Sequence, residues 1–248
     1  MLKDEVKYDI RWSDAVTDDY ILDFIKVHSI VFGGGLDRTT FERKYRDNIY
    51  GSSLMVVAYC NGEPCAARAF WRNDLGRQAA WQPVDTCVVA EYRGKGLFTE
   101  MTQRALTFLP SNPVLYNFPN QNSLPGYLKM GWSLLKQYRL RLFTTAKYEK
   151  EHAEQAPQDY VEWWFKGASN LRCVRRDGKW YVVRRLNKPF CYKILSRVST
   201  PVFPVVRLAL CFYESAEKTF YNSNKIPLSV VGRNVSIDVP VWKKDAID

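Results

Sequence analysis

Four consecutive residues, Arg93, Gly94, Lys95 and Gly96, combine two permissive backbone positions with two cations, and a run of helical character follows at once. That pattern can bind an anion. Glycines let backbone N–H groups converge on one point, and the open amides of a helix's first turn carry partial positive charge. Such a nest suits a phosphate, and the two side chains add Coulomb attraction. Surface turns use Arg-Gly and Lys-Gly pairs as well, so the flanking elements decide between the two readings. The loop lacks the G-x-x-x-x-G-K-[ST] of a P-loop. It also lacks the third glycine of the G-x-G-x-x-G dinucleotide fingerprint, because Leu97, Phe98 and Thr99 follow Gly96.

Positioning such a loop takes a strand before it and a helix after it. Residues 79–89 (AAWQPVDTCVV) are rich in valine and threonine and read as a strand. Leu97, Met101, Ala105, Leu106 and Leu109 recur at helical spacing, and Pro110, Asn112 and Pro113 stop the run. A short strand, residues 114–118 (VLYNF), comes next.

Across these elements the chain resembles the GCN5-related N-acetyltransferases, which use acetyl-coenzyme A. Arg93-Gly94-Lys95-Gly96-Leu97-Phe98 is similar to their loop pattern Q/R-x-x-G-x-G/A, with bulky Phe98 where a small residue is expected. Asn120, Tyr127, Lys129, Gly131 and Trp132 match a second element, N-x-x-x-x-x-x-Y-x-K-x-G-[FW]. The resemblance covers about residues 5–146. It implies an α/β (α+β) fold with a mixed, mostly antiparallel sheet that splays where the coenzyme inserts. It also implies a diphosphate held by Arg93, Gly94, Lys95, Gly96, Leu97, Phe98 and Thr99, with Asn120 and Ser123 as further coenzyme contacts. The backbone amides of Cys87, Val88 and Val89 would bind the pantetheine arm and polarise the thioester carbonyl.

Acetyl transfer to an amine needs a proton acceptor, stabilisation of the oxyanion and a proton for the leaving thiolate. The resemblance gives the last role to Tyr127. Many family members place a glutamate base on the strand before the loop. This chain offers Asp85, two residues before Cys87 and on the same strand face. A capping or solvated carboxylate is the alternative for Asp85, with water as the proton relay. The implied reaction moves an acetyl group from acetyl-coenzyme A to a primary amine by direct attack in a ternary complex. No metal takes part.

The rest of the chain is read around that domain. Residues 7–12 form a first strand, and residues 18–32 a helix with Tyr20, Phe24, Val27, His28 and Val31 on one face. Residues 39–48 are a second short helix, and Asn61-Gly62 marks the turn of a hairpin. The expected domains are residues 1–146 for catalysis, a charged linker over 147–159, and a second α+β lobe over 160–248. That lobe resembles the one in longer bacterial members, and a degenerate half of the same fold is one form for it. Trp163 and Trp164 would pack at a lobe interface, and Asp177-Gly178 is a second hairpin turn.

The 248 residues carry a formal net charge of +10, with seventeen Lys and Arg against ten Asp and Glu after residue 149. A positive field can attract an acidic ligand or serve solubility alone. The basic segment 172–188 interleaves arginines with Trp180 and Tyr181, but a hairpin's solvent face explains it, and no nucleic-acid module is recognisable. Cys60, Cys65, Cys87, Cys173, Cys191 and Cys211 form no C-x-x-C pair and, with two histidines, make no zinc site. The opening MLKDEVKYDI has no apolar region of the signal-peptide kind, and residues 198–213 fall short of the ~20 apolar residues of a spanning helix. A soluble, cytoplasmic protein is expected. An amino sugar or cell-envelope precursor is the favoured acceptor. A coenzyme-binding module without chemistry, and a transferase of other acyl or aminoacyl groups, remain open.

Overall fold

The computed structural model describes residues 5–151, 156–166, 168, 170–187, 189–207, 209–215, 228–237 and 239. The described residues divide into two compact units, one drawn from the ranges 1–117, 122–133 and 231–237, the other from the ranges 118–121, 134–230 and 238–248.

In the first unit β1 (Val6–Trp12), β2 (Leu54–Cys60), β3 (Glu63–Arg72) and β4 (Ala80–Val88) pair antiparallel in that order. Asn61 and Gly62, both at positive φ, turn the β2–β3 hairpin as their sequence demands. β5 (Val114–Asn117) runs parallel to β4 and pairs with it at Ala80–Val114 and Trp81–Leu115. β4 continues to Val88, so the two strands part beyond Trp81. On its other side β5 takes Val231, Gly232 and Arg233 of β11 (Leu228–Arg233) in antiparallel register.

Helices cover this sheet. α1 (Asp18–Phe32) starts at Thr17, whose Oγ1 accepts from Tyr20 N, and it buries Tyr20, Ile21, Phe24, Val27 and His28. α2 (Arg38–Phe41) runs into a π-helical turn, Glu42–Arg46. Phe24, Phe41 and Tyr45 meet edge to face with centroids 5.1–6.0 Å apart, contacts worth about 0.5–1.5 kcal/mol each beyond their buried area. α3 (Leu97–Leu106) lays Leu97, Met101 and Ala105 into a core that contains Val56, Phe70, Leu115 and Val231. α4 (Leu124–Lys129) adds Tyr127 to that core.

The second unit holds β6 (Ser133–Leu142), β7 (Leu171–Arg176), β8 (Lys179–Arg185), β9 (Cys191–Val198) and β10 (Leu210–Ser215). Its strand order is β6-β10-β9-β8-β7, with only β9–β10 parallel. Asp177-Gly178 turns the β7–β8 hairpin. α5 (Thr145–Glu151) occupies the start of the segment read as a linker, and its Tyr148 is buried with Tyr181 and Tyr213. Glu149 accepts from Lys179 Nζ and Arg197 Nη1, both at 2.7 Å, and so ties α5 to β8 and β9. Trp163 on α6 (Gln158–Trp164) packs against Tyr160 and Trp164. Residues 152–155 of the expected linker, and 216–227 and 240–248 of the expected second lobe, lie outside the described residues.

Candidate active site

The glycine-basic loop caps α3. Gly96 is the N-cap of that helix and makes no side-chain cap, while the Thr99 amide donates to Gly96 O at 3.0 Å. Gly94 (φ +75°) and Gly96 (φ +84°) both adopt the left-handed conformation, and a Cβ on either would meet nothing within 4 Å. Open space therefore faces the helix N-terminus, where partial positive charge and free amides suit a phosphate. Arg93 Nε donates to Val88 O at 3.0 Å and folds the loop back on the end of β4. The Lys95 ammonium stands 5.0 Å from the Tyr92 ring centroid. Phe98 does not crowd this opening. Its ring packs into the core, edge to face with Tyr127 at 5.5 Å.

β4 leads into the loop, and beyond Trp81 its edge facing β5 is unpaired among the described residues. An extended arm can add to such an edge through backbone hydrogen bonds. Cys87 and Val88 lie in this stretch, opposite Ala67 and Ala66 of β3. The Val89 amide is already committed, donating to Cys65 O at 3.0 Å. Burial pushes the Cys87 thiol up to about 12, which removes it as a nucleophile. These features fit a coenzyme A diphosphate and arm. Asn120 is exposed between β5 and α4, and Ser123 precedes α4, with its carbonyl accepting from Gly126 N and Tyr127 N.

Tyr127 is buried. Its hydroxyl accepts from Arg68 Nη2 and from Asn117 Nδ2, both at 2.6 Å. A phenol oxygen has two lone pairs and one proton, so both lone pairs are used and the proton remains to be given. Burial raises the Tyr127 pKa, against the pull of the Arg68 charge and the Asn117 hydrogen bond.

Asp85 sits at a β-bulge. Ala67 faces Cys87 while Ala69 faces Val84, so β4 carries one extra residue there, and Asp85 has φ +47°. Its carboxylate accepts from Lys44 Nζ at 2.9 Å and from the Tyr45 hydroxyl. The π-turn brings these two neighbours in the chain to one carboxylate. Burial would raise the Asp85 carboxyl, but the Lys44 ammonium and the Tyr45 hydroxyl hold it below its ordinary value. The result is an ionised group with weak basicity. His28, which burial keeps neutral to lower pH, interacts electrostatically with the same pair.

The sequence reading missed Arg68, Asn117, Lys44 and Tyr45. Only Arg68 had a local signal, a cation among alanines in the apolar strand run CAARAFW. Among the described residues no group of three or more His, Cys, Asp or Glu could hold a metal ion. No helix among them is long and apolar enough to cross a membrane.

Comparison with known proteins places this site in a family. Residues 13–135 match the family model described as an acetyltransferase (GNAT) domain. The chain is similar to a conserved protein from Enterococcus faecalis V583 described as a probable N-acyltransferase. The identity is 11% and the TM-score 0.57, over 92% of this chain and 72% of that one. It is also similar to a GCN5-related N-acetyltransferase from Kribbella flavida, at 14% identity and a TM-score of 0.49, over 91% and 71%. No curated protein matches the sequence at a significant level. Residues 13–135 thus form a GNAT domain, the domain of the GCN5-related N-acetyltransferases.

Proposed function

We propose that the protein transfers an acetyl group from acetyl-coenzyme A to a primary amine by direct attack in a ternary complex. The observation that carries this reading is the open, uncapped glycine nest at the N-terminus of α3, set at the end of a strand that parts from its neighbour. Bound acetyl-coenzyme A would supply an activated thioester carbonyl. Gly94, Lys95, Gly96, Leu97 and Phe98 would hold its diphosphate through backbone amides, with Thr99 beside them, its own amide bonded to Gly96 O, and with Arg93 bracing the loop. The edge of β4 at Cys87 and Val88 would align the arm. Tyr127 holds the proton for the departing sulfur.

The nitrogen must lose a proton as it attacks. Asp85, kept ionised by Lys44 and Tyr45, is a poor acceptor near neutral pH. Its role in this proposal is to orient the acceptor, and water takes the proton. An amino sugar or a cell-envelope type of amine is the proposed acceptor, on the two-lobed resemblance. The catalytic domain is proposed to span residues 1–146, and the protein to act in the cytoplasm.

The test is thiol release from acetyl-coenzyme A against a panel of amino sugars, small amines and peptide amines. Amine-dependent release supports the reading. Coenzyme binding without release under any amine would make the chain a binding module of the same fold. Release only with longer acyl donors would reassign the donor.

A further inference from the structure

Arg68 lies in the middle of β3, and none of its surface is exposed. A buried cation is ordinarily matched by a carboxylate, because an isolated charge is costly away from water. Here none is near. Apart from burial, only Tyr127 acts on the Arg68 charge. Nη1 donates to Thr102 Oγ1 at 2.6 Å and to Phe98 O at 3.4 Å, and Nη2 donates to the Tyr127 hydroxyl at 2.6 Å. The rings of Phe98, Phe70 and Tyr127 surround the guanidinium at 4.5, 5.2 and 5.5 Å. Nε has no partner.

The fold alone gives no reason for this charge. A methionine has a side chain of similar length and would fill the space among the rings without desolvating a cation. Thr102 would keep its hydrogen bond to Phe98 O at 2.7 Å, and Tyr127 would keep Asn117. Unfavourable features of this kind persist where activity needs them.

We propose that Arg68 is the positioning residue for the Tyr127 proton donor. Its Nη2 takes one lone pair of the hydroxyl while Asn117 takes the other, which turns the O–H bond away from both. Its charge then stabilises the phenolate left behind. In the step, the Tyr127 O–H bond breaks and an S–H bond forms on the departing thiolate, with the electron pair left on the phenol oxygen. Water returns a proton to Tyr127, and the proton lost by the amine goes to water, so the balance closes. This inference rests on the reading of Tyr127 given above. The electrostatics agree in sign: burial raises the Tyr127 phenol, Arg68 pulls it down, and no other titratable group acts on it.

The experiment compares Arg68→Met, Arg68→Lys, Tyr127→Phe and the double variant Arg68→Met/Tyr127→Phe. Arg68→Met is expected to unfold no earlier than wild type, to bind acetyl-coenzyme A unchanged by calorimetry, and to lose turnover by ~10–10²-fold. The double variant should be no slower than Tyr127→Phe alone. Arg68→Lys should recover part of the rate, since it keeps the charge. Unchanged turnover in Arg68→Met, or losses that multiply in the double variant, would overturn the inference. A separate arm follows the 13Cζ resonance of Tyr127 in alkaline solution. Arg68→Met should raise its ionisation midpoint, and an unmoved midpoint overturns the coupling whether or not the protein turns over. An inactive wild type with a raised midpoint would condemn only the acetyltransferase reading.

Discussion

Phe98 and Gly126 are fitted to each other: a Cβ on Gly126 would stand 2.9 Å from Phe98 Cε1. The ring cannot simply swing aside, because Arg68 lies 4.5 Å from its centroid and Tyr127 packs on it at 5.5 Å. Phe98 occupies the position where the family pattern has a small residue, and the missing side chain at Gly126 makes room for it.

That fit reverses a usual expectation. Gly→Ala inside a helix ordinarily gains roughly 0.5–1 kcal/mol. Gly126→Ala should instead cost about 1–3 kcal/mol, the range for overpacking. Denaturant unfolding measures this, and Phe98→Leu in the same chain should return most of the loss. A Gly126→Ala protein as stable as wild type would mean the ring is free to move.

The nest predicts a different balance at Gly94 and Gly96. Space is open at both, so their substitution meets no neighbour, and the left-handed backbone carries the penalty. Alanine at each should cost about 1–2 kcal/mol of stability through that strain. Coenzyme affinity should fall far more than stability, because a rearranged loop no longer converges its amides. Calorimetry on the double alanine variant checks this, and an unchanged dissociation constant would remove the diphosphate from this loop.

The Asp85–Lys44 pair sets a pH dependence. The folded Asp85 carboxyl lies below its ordinary value, so its contribution to stability is present above the unfolded value of ~3.9 and is lost as pH falls through the lower folded one. Asp85→Asn keeps a residue that tolerates positive φ but removes the carboxylate that pairs with the buried Lys44 ammonium. The loss at neutral pH should be about 3–5 kcal/mol. The gap to wild type should begin to narrow in acid below pH ~3.9 and close only as pH falls through the lower folded value, where wild type also loses its charge. Adding Lys44→Met should restore most of the stability at neutral pH. A gap independent of pH would assign the effect to packing.

Local chemistry made much of the first unit legible. Asn61-Gly62 turned a hairpin and Gly96 capped α3 because these residues act through their own backbone. What escaped depends on distant partners. β11 pairs with β5 across more than a hundred residues of chain, and no pattern within residues 228–233 marks that pairing. Residues 39–48 carried a helical pattern, yet the turn over Glu42–Arg46 is π-helical, with Lys44 and Tyr45 both bonded to Asp85 on β4. The roles of Arg68 and Asn117 follow from a shared contact with Tyr127, which only the folded chain creates.

Tyr127→Phe separates binding from chemistry. Removing the oxygen keeps the ring against Phe98 and Trp132, so the core and the dissociation constant for coenzyme A should hardly change. Stability should still fall, since Arg68 Nη2 and Asn117 Nδ2 lose their acceptor in a buried site, a cost of about 1–3 kcal/mol. Turnover should drop by about 10²-fold, the lower end of what general acid catalysis contributes. That corresponds to roughly 2.7 kcal/mol of barrier. The measurement is kcat beside the coenzyme dissociation constant, at a pH where the acceptor amine is already neutral. Stability must be taken on the same preparation, so that a fraction unfolded is not counted as lost chemistry. Full turnover in the variant would make Tyr127 a packing residue and send the search for the proton donor to water. Equal losses in binding and turnover would mean that the hydroxyl holds the coenzyme and does not protonate its sulfur.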